Sequence, residues 1–93
     1  MEDGYKVSDM YLAAALVSYG AELLDVDKRD RKRQKFIFGG KIDQVYVLSG
    51  NGGFAVLKSP EFSEIEAKFV AKRLCFLPNY PNSIRDMKSV IYT

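Results

Sequence analysis

The stretch that decides the fold is Ser8-Asp9-Met10-Tyr11-Leu12-Ala13-Ala14-Ala15-Leu16-Val17-Ser18-Tyr19-Gly20. It predicts a helix, because alanine and leucine are strong helix formers and Ser8 and Gly20 are suited to cap the two ends. Asp9 is placed favourably at the positive end of the helix dipole. Two apolar rows run along the stretch at helical spacing, so we expect other elements to cover the helix on two sides. This helix is therefore the predicted centre of the fold.

The sequence after this helix predicts a first β-hairpin. Residues 21–27 alternate in polarity like a strand, which places Leu24 and Val26 on one face and Asp25 and Asp27 on the other. The charged run that follows has no apolar anchor and is expected to be an exposed turn. Lys35-Phe36-Ile37-Phe38 then resumes as a strand, with its two phenylalanines sharing the core face. Residues 1–7, before the helix, are predicted to be a short polar lead.

A second hairpin is predicted from residues 45–48 and 54–57. Both segments are rich in β-branched and aromatic residues, and the glycine-rich turn Ser49-Gly50-Asn51-Gly52-Gly53 lies between them. The turn does not fit a phosphate-binding loop, because no lysine and hydroxyl pair and no helix follow it. The apolar spacing over residues 41–48 also fits a short helix, which stays open as the alternative to the first strand of this hairpin.

Two helices are predicted in the C-terminal third of the chain. Ser59-Pro60-Glu61 is typical of a helix start, with a serine cap and proline at the first helical position. An amphipathic pattern follows, in which Val70 belongs to the apolar face. After two further prolines, Asn79 or Asn82 is expected to cap the last helix. The element order predicts a single α+β domain over residues 1–93, with an antiparallel sheet of about four strands packed by one N-terminal and two C-terminal helices.

The composition is that of a globular domain. The chain has 93 residues, of which 47% are apolar, and this is enough for one hydrophobic core. No apolar run approaches the length that spans a bilayer, and the acidic start is unlike a signal peptide. We therefore expect a cytoplasmic protein without membrane contact. Cys75 is the only cysteine, which fits a reducing compartment.

The residue types present give little support to catalysis or metal binding. The chain has no histidine, which removes the commonest general base and most zinc sites. Asp25 and Asp27 share a predicted strand face, but two carboxylates without further oxygen ligands make a weak cation site. Cys75 has no identifiable base that would make it a nucleophile. We therefore expect a non-enzymatic protein without a cofactor or metal ion.

Positive charge is concentrated in the turn of the first hairpin. The segment from Lys28 to Lys35 carries a local charge of +5, while the rest of the chain sums to −3. At a hairpin tip, such side chains can reach the phosphates of a nucleic acid or of another polyanion. The alternative is a charged hairpin tip that is only solvated and has no binding role, because strand edges use charge to prevent aggregation. The candidate polyanion-binding residues are Lys28, Arg29, Arg31, Lys32, Arg33 and Lys35.

Tyrosines offer a different class of function, a protein-interaction module. The chain has six tyrosines, a residue enriched at interfaces because it combines area with a polar tip. Tyr80, close to two prolines, is the candidate for an exposed anchor. Tyr46 and Ile37 are expected on the outer sheet face, where a partner or a second copy of the chain can cover them. Tyrosines at the margin of the core are the bland alternative. A third hypothesis is that an oligomer binds a small signalling nucleotide through the same basic residues.

Three stretches carry a resemblance to a known family. They are the Tyr-Leu-Ala-Ala helix with its glycine in residues 9–20, Phe36-Ile37-Phe38, and residues 84–92. In these stretches the chain resembles a small family of phage and mobile-element proteins known as a domain of unknown function, while residues 40–58 depart from the family pattern. The resemblance implies a viral or mobile-element origin and a location in the host cytoplasm, and it carries over no activity or site residue. It favours an accessory protein that acts by binding, such as a virion component or an inhibitor of a host defence protein.

Overall fold

The computed structural model describes residues 4–29 and 34–91 of the chain. Its elements are, in order, β1 (Tyr5–Val7), α1 (Met10–Ser18), β2 (Glu22–Asp27), β3 (Lys35–Gly39), β4 (Gln44–Leu48), β5 (Phe54–Lys58), α2 (Phe62–Val70) and α3 (Tyr80–Ile91). The predicted α+β class, with one N-terminal and two C-terminal helices, is confirmed. The described strands form a three-stranded and a two-stranded sheet, where the sequence predicted one sheet of about four strands.

The first sheet is antiparallel and has the strand order β1-β3-β2. Phe36 and Phe38 of β3 are buried on its core face, as the alternation predicts. β1 corrects the prediction of a polar lead, because its backbone pairs with β3 and brings Val7 opposite Phe36. Val7 is buried by this pairing. A strand of three residues is too short to show a period of two in the sequence.

An irregularity in β2 changes which leucine faces the core. The register between β2 and β3 shifts between Leu23 and Asp25, and such a bulge offsets the alternation of side chains by one residue. Leu23 and Val26 consequently pack against the core, whereas Leu24 is exposed. The prediction that Leu24 and Val26 share one face of the strand is therefore wrong.

Helix α1 lies in the middle of the core. Residues 13–16 have no exposed surface, and the helix contacts both α3 and β1. Alanine has a small side chain, so neighbouring elements approach the helix axis closely and leave little unfilled space. One continuous cluster of buried side chains joins α1 to both sheets and to the two C-terminal helices.

The ends of α1 are fixed by a carboxylate and by a glycine. The cap is Asp9 and not Ser8, because Asp9 Oδ1 accepts hydrogen bonds from the amides of Tyr11 at 2.8 Å and Leu12 at 3.4 Å. Gly20 follows the helix with φ of +102°. A side chain is strained at that angle, so glycine ends the helix as the sequence predicts.

The second sheet is the hairpin of β4 and β5, in which Tyr46 lies opposite Val56. The helical alternative for residues 41–48 is thereby excluded. Val45 and Val47 are buried on the inner side of the hairpin. Hydrogen bonds from Leu48 N to Arg73 O and from Cys75 N to Tyr46 O, at 2.8 and 2.9 Å, attach the segment after α2 to the outer edge of β4.

Helix α2 begins two residues later than the sequence predicts, and α3 begins directly after one of its two predicted caps. Glu61 and not Ser59 is the cap of α2, and its amide donates to Glu64 Oε1 at 2.9 Å. Val70 ends this helix with 70% of its surface exposed, so its predicted place on the apolar face is wrong. Asn79 immediately precedes α3, which favours the first of the two predicted cap positions. Within the described residues, no helix is both long and apolar enough to cross a membrane.

Candidate functional site

The basic segment, residues 28–35, connects the two strands of the first hairpin, as the sequence predicts. Asp27 and Lys35 are the last partners in the ladder of β2 and β3, so the segment joins the ends of these strands. Lys28, Arg29 and Lys35 are exposed. The three remaining candidates lie outside the described residues; they are Arg31, Lys32 and Arg33.

Arg29 is bound by an acid of the same hairpin. Its Nε and Nη2 atoms donate to the two carboxylate oxygens of Asp27 at 3.0 and 2.7 Å. These hydrogen bonds hold the pKa of Asp27 well below its usual value and raise the pKa of the Arg29 guanidinium. The Arg29 side chain is 91% exposed, and salt screens such a pair. Arginine binds phosphate with the same pair of guanidinium donors that here bind Asp27. Asp27 therefore competes with any anion for Arg29.

Tyr46 lies on the outer face of the β4–β5 hairpin. Val56 is its cross-strand neighbour, and Phe54 lies opposite Leu48 on the same face. All of these side chains are exposed, Phe54 to 75% and Val56 to 45%. We call this surface the hairpin face; its members are Tyr46, Leu48, Phe54 and Val56. An exposed group of large apolar side chains is a mark of an interaction site.

Polar groups border the hairpin face. Gln44 Nε2 donates to the hydroxyl of Tyr46 at 3.0 Å, and Lys58 lies across the ladder from Gln44. The ring of Tyr46 also lies near the ring of Tyr19, with centroids 6.5 Å apart. An apolar centre with a polar border is the usual composition of a protein interface.

Tyr80 is a less suitable anchor than the sequence suggested. Its ring is partly buried and stacks on Phe76 with centroids 4.4 Å apart. Its hydroxyl donates to the carbonyl oxygen of Tyr11 at 3.1 Å. Burial, and then the nearby carboxylate of Asp9, raise the pKa of Tyr80. The residue ties α3 to α1, and Phe76 and Tyr11 are more exposed than Tyr80 itself.

The predicted candidates did not include Leu48, Phe54 and Val56. The signal that identifies them is the absence of alternation, because β4 and β5 are apolar on both faces. A two-stranded hairpin can turn only one face to the core of a domain this small. Its second apolar face must then be exposed or be covered by another molecule.

The other candidates for chemistry remain isolated. The described part of the chain contains no group of three or more potential metal ligands, and Asp25 and Asp27 accept hydrogen bonds from Val26 and Arg29 respectively. A shallow pocket of about 320 Å³ lies between the end of β3 and the start of α2, with Lys41 and Glu61 in its lining. It is at the opposite end of β3 from the basic segment, so it gives no support to nucleotide binding by those bases.

Comparison with known proteins adds no functional assignment. No protein-family model, no curated protein and no solved structure matches this chain.

Proposed function

We propose that the protein is a non-enzymatic binding module that contacts a protein partner through its hairpin face. The observation that carries this proposal is the exposure of four large apolar side chains on one face of a regular hairpin. Complete burial of a side chain such as Phe54 contributes about 2 kcal/mol to association. A virion component or an inhibitor of a host defence protein needs a surface of this kind, although neither role is specific to it.

Contacts with the rest of the domain also fix the position of the hairpin face. Its apolar side chains therefore stay available to bind a partner. Val45 and Val47 anchor the hairpin in the core, and the segment at residues 73–75 holds the outer edge of β4. A preformed surface loses less conformational freedom when it binds than a flexible one does. The hairpin face therefore resembles a contact surface built on a fixed scaffold.

Photo-crosslinking at position 54 tests the proposal directly. Benzoylphenylalanine in place of Phe54 is expected to form an adduct with a specific protein in extracts of the source cells, and the same substitution at Val70 is the matched control. Val70 is about as exposed as Phe54 but lies on α2. The adduct is expected to disappear when Tyr46→Ser and Val56→Thr are introduced together. Equal adducts at both positions, or none at position 54, would contradict the proposal.

Binding of a polyanion by the basic segment is the second candidate function. It is favoured by the position of the segment at the end of the first hairpin and by the exposure of Lys28 and Lys35. The bond between Arg29 and Asp27 opposes it, because a phosphate must displace this carboxylate. Contact would be made mainly to the phosphate backbone and would show little sequence preference.

Salt dependence separates this candidate from a solvated tip. If about five bases contact phosphates, the logarithm of the binding constant for duplex DNA falls with the logarithm of salt concentration with a slope of about −4.5. The triple variant Arg29→Ala, Arg31→Ala and Arg33→Ala is expected to reduce this slope, and Asp27→Asn is expected to raise affinity by releasing Arg29. Fluorescence anisotropy measures both effects. Binding that ignores salt, or no binding at low salt, would rule this candidate out.

A further inference from the structure

The outer edge of β5 presents unpaired backbone groups. Bonds from Ser49 N to Gly53 O and from Ser59 N to Asp43 O, at 2.8 and 2.7 Å, fix the phase of the hairpin. In an antiparallel ladder only alternate residues bond across to the partner strand. Ala55 and Leu57 therefore bond to β4, while the amides and carbonyls of residues 54, 56 and 58 point away from it. β5 has no other strand neighbour in the described part of the chain.

The remaining strand edges are protected, each in a different way. β1 is only three residues long. β2 carries Glu22, Asp25 and Asp27 and contains a bulge. The outer edge of β4 is occupied by the segment at residues 73–75. Shortness, charge, bulges and covering segments are the devices that prevent strands from pairing between molecules. β5 carries one of them, the charge of Lys58 at its last position, and the stretch from Phe54 to Leu57 is uncharged and regular.

We propose that β5 pairs antiparallel with β5 of a second copy of this chain, around a two-fold axis at Val56. This register opposes Val56 with its own copy and Phe54 with Lys58 of the other molecule. It uses every outward-pointing group of the strand and forms about six hydrogen bonds. Pro60 has no amide hydrogen to extend the ladder, and Gly52, with φ of +89°, lies in the turn at the other end.

The side chains of β5 complement one another in this register. Val56 packs on Val56, and Ala55 lies opposite Leu57, so the centre of the pair is apolar. Lys58 comes next to the ring of Phe54, an arrangement that allows a cation–π contact. No like charges face each other across the strands. The edge of β5 is therefore complementary to the same edge of a second copy, whereas an unrelated strand would match these side chains only by chance.

Pairing at this edge gives a closed assembly. Within residues 4–29 and 34–91, β5 has the least protected strand edge. A two-fold contact occupies this edge in both molecules, so the assembly ends at the dimer. The product is a four-stranded sheet in the order β4-β5-β5-β4, which joins the hairpin faces of both molecules into one apolar surface. This inference concerns the edge of β5 and the chain itself, so it goes beyond the proposed contact of the hairpin face with another protein.

Sedimentation velocity between about 10 µM and 1 mM tests the proposal. A contact of this small size is expected to give a monomer–dimer equilibrium with a dissociation constant of the order of 100 µM. Val56→Pro removes one outward amide and leaves the bonds to β4 in place, as proline is tolerated at such edge positions. It is expected to weaken the dimer at least tenfold, whereas Val56→Thr keeps the amide and the branched shape and changes the constant about threefold or less. Thermal unfolding verifies that both variants are folded.

A charge exchange at the two-fold axis tests the register. Val56→Lys and Val56→Glu are each expected to be monomeric, because like charges meet across the axis, and an equal mixture of the two is expected to restore the dimer. A wild-type chain that stays monomeric at 1 mM, a Val56→Pro variant that dimerises like wild type, a mixture that stays monomeric, or growth beyond the dimer would each overturn the proposal. Val56→Thr alters the side chains of the hairpin face but keeps the backbone groups at the edge of β5. Loss of the Phe54 adduct therefore tests the proposed protein contact, and loss of the dimer tests the pairing of β5.

Discussion

Replacement of Asp9 by alanine removes the side chain that caps α1. The carboxylate accepts one hydrogen bond of ordinary length, from Tyr11 N at 2.8 Å, and one long one, from Leu12 N at 3.4 Å. The Tyr11 bond is exposed to water, which replaces part of the lost interaction. We therefore expect a loss of about 1 kcal/mol in the free energy of unfolding, the middle of the range for helix caps.

This loss is expected to appear in global unfolding and not in local fraying. Residues 13–16, one turn into the helix, have no exposed surface, so the helix cannot open without disrupting the core. For a domain of this length, 1 kcal/mol corresponds to a fall in the melting temperature of about 5 °C. The chain has no tryptophan, so far-ultraviolet circular dichroism during urea and thermal unfolding is the suitable assay.

Two further variants make the test specific. Ser8→Ala is expected to change stability by less than about 0.5 kcal/mol, as exposed surface substitutions usually do, because Asp9 and not Ser8 provides the cap. Asp9→Asn is expected to retain most of the stability, because asparagine caps helices about as well as aspartate. Equal losses for Ser8→Ala and Asp9→Ala, or no loss for Asp9→Ala, would refute this account of the helix start.

Three other measurements test the core, the helix end and the partly buried phenol of Tyr5. Ala14→Leu is expected to destabilise the fold by about 1–3 kcal/mol through overpacking, and Ala67→Leu, on the exposed part of α2, by less than about 0.5 kcal/mol, both in urea unfolding. Gly20→Ala is expected to cost about 1–2 kcal/mol because of its φ of +102°. Burial and the hydrogen bond to Glu66 raise the pKa of Tyr5 from 10.0 to about 12. The free energy of unfolding is therefore expected to fall as the pH rises from 10 to 12. Glu66→Gln is expected to lower the pKa of Tyr5 in an ultraviolet titration.

The central helix and the first phenylalanine-bearing strand were predictable because their patterns are long or strongly periodic. Two caps were misassigned by one or two residues. Ser8 and Ser59 are favoured cap residues, but Asp9 and Glu61 hold these positions. Which of two neighbouring polar residues caps a helix depends on the direction from which the chain enters, and this direction is set by tertiary contacts.

The errors in the first sheet have a common physical cause. The strand pairing of residues 5–7 and the bulge near Leu24 both depend on where β3 lies, and neighbouring strands leave no local pattern in the sequence. The same limit applies to the division into two sheets. The sequence predicts a single sheet because it shows the order of the strands along the chain and not which strands pair with each other.

The candidate surfaces were predictable in part. The location of the basic segment between β2 and β3 follows from the charge run and the flanking alternation. The bond of Arg29 to Asp27 depends on side-chain geometry at the strand end, which charge counts do not contain. The sequence predicts Tyr46 as a contact residue, whereas its three neighbours on the hairpin face are found only when the register aligns the two strands.

The hydroxyl of Tyr19 serves as a substitute for backbone. It donates to the carbonyl of Cys75 at 2.6 Å and accepts from the amide of Tyr46 at 3.3 Å, beside the groups through which the 73–75 segment meets β4. A single oxygen atom from Tyr19, the residue that follows the central helix, thus bridges two stretches that are distant in sequence. Phenylalanine fills nearly the same volume as tyrosine and is a common replacement for it. At position 19, however, phenylalanine would remove the hydroxyl that accepts a hydrogen bond from Tyr46 N and donates one to Cys75 O. The phenolic oxygen of Tyr19 therefore adds a polar link between the helix and the second sheet to the apolar contacts of the core, and position 19 is expected to tolerate substitution less well than its partly buried location suggests.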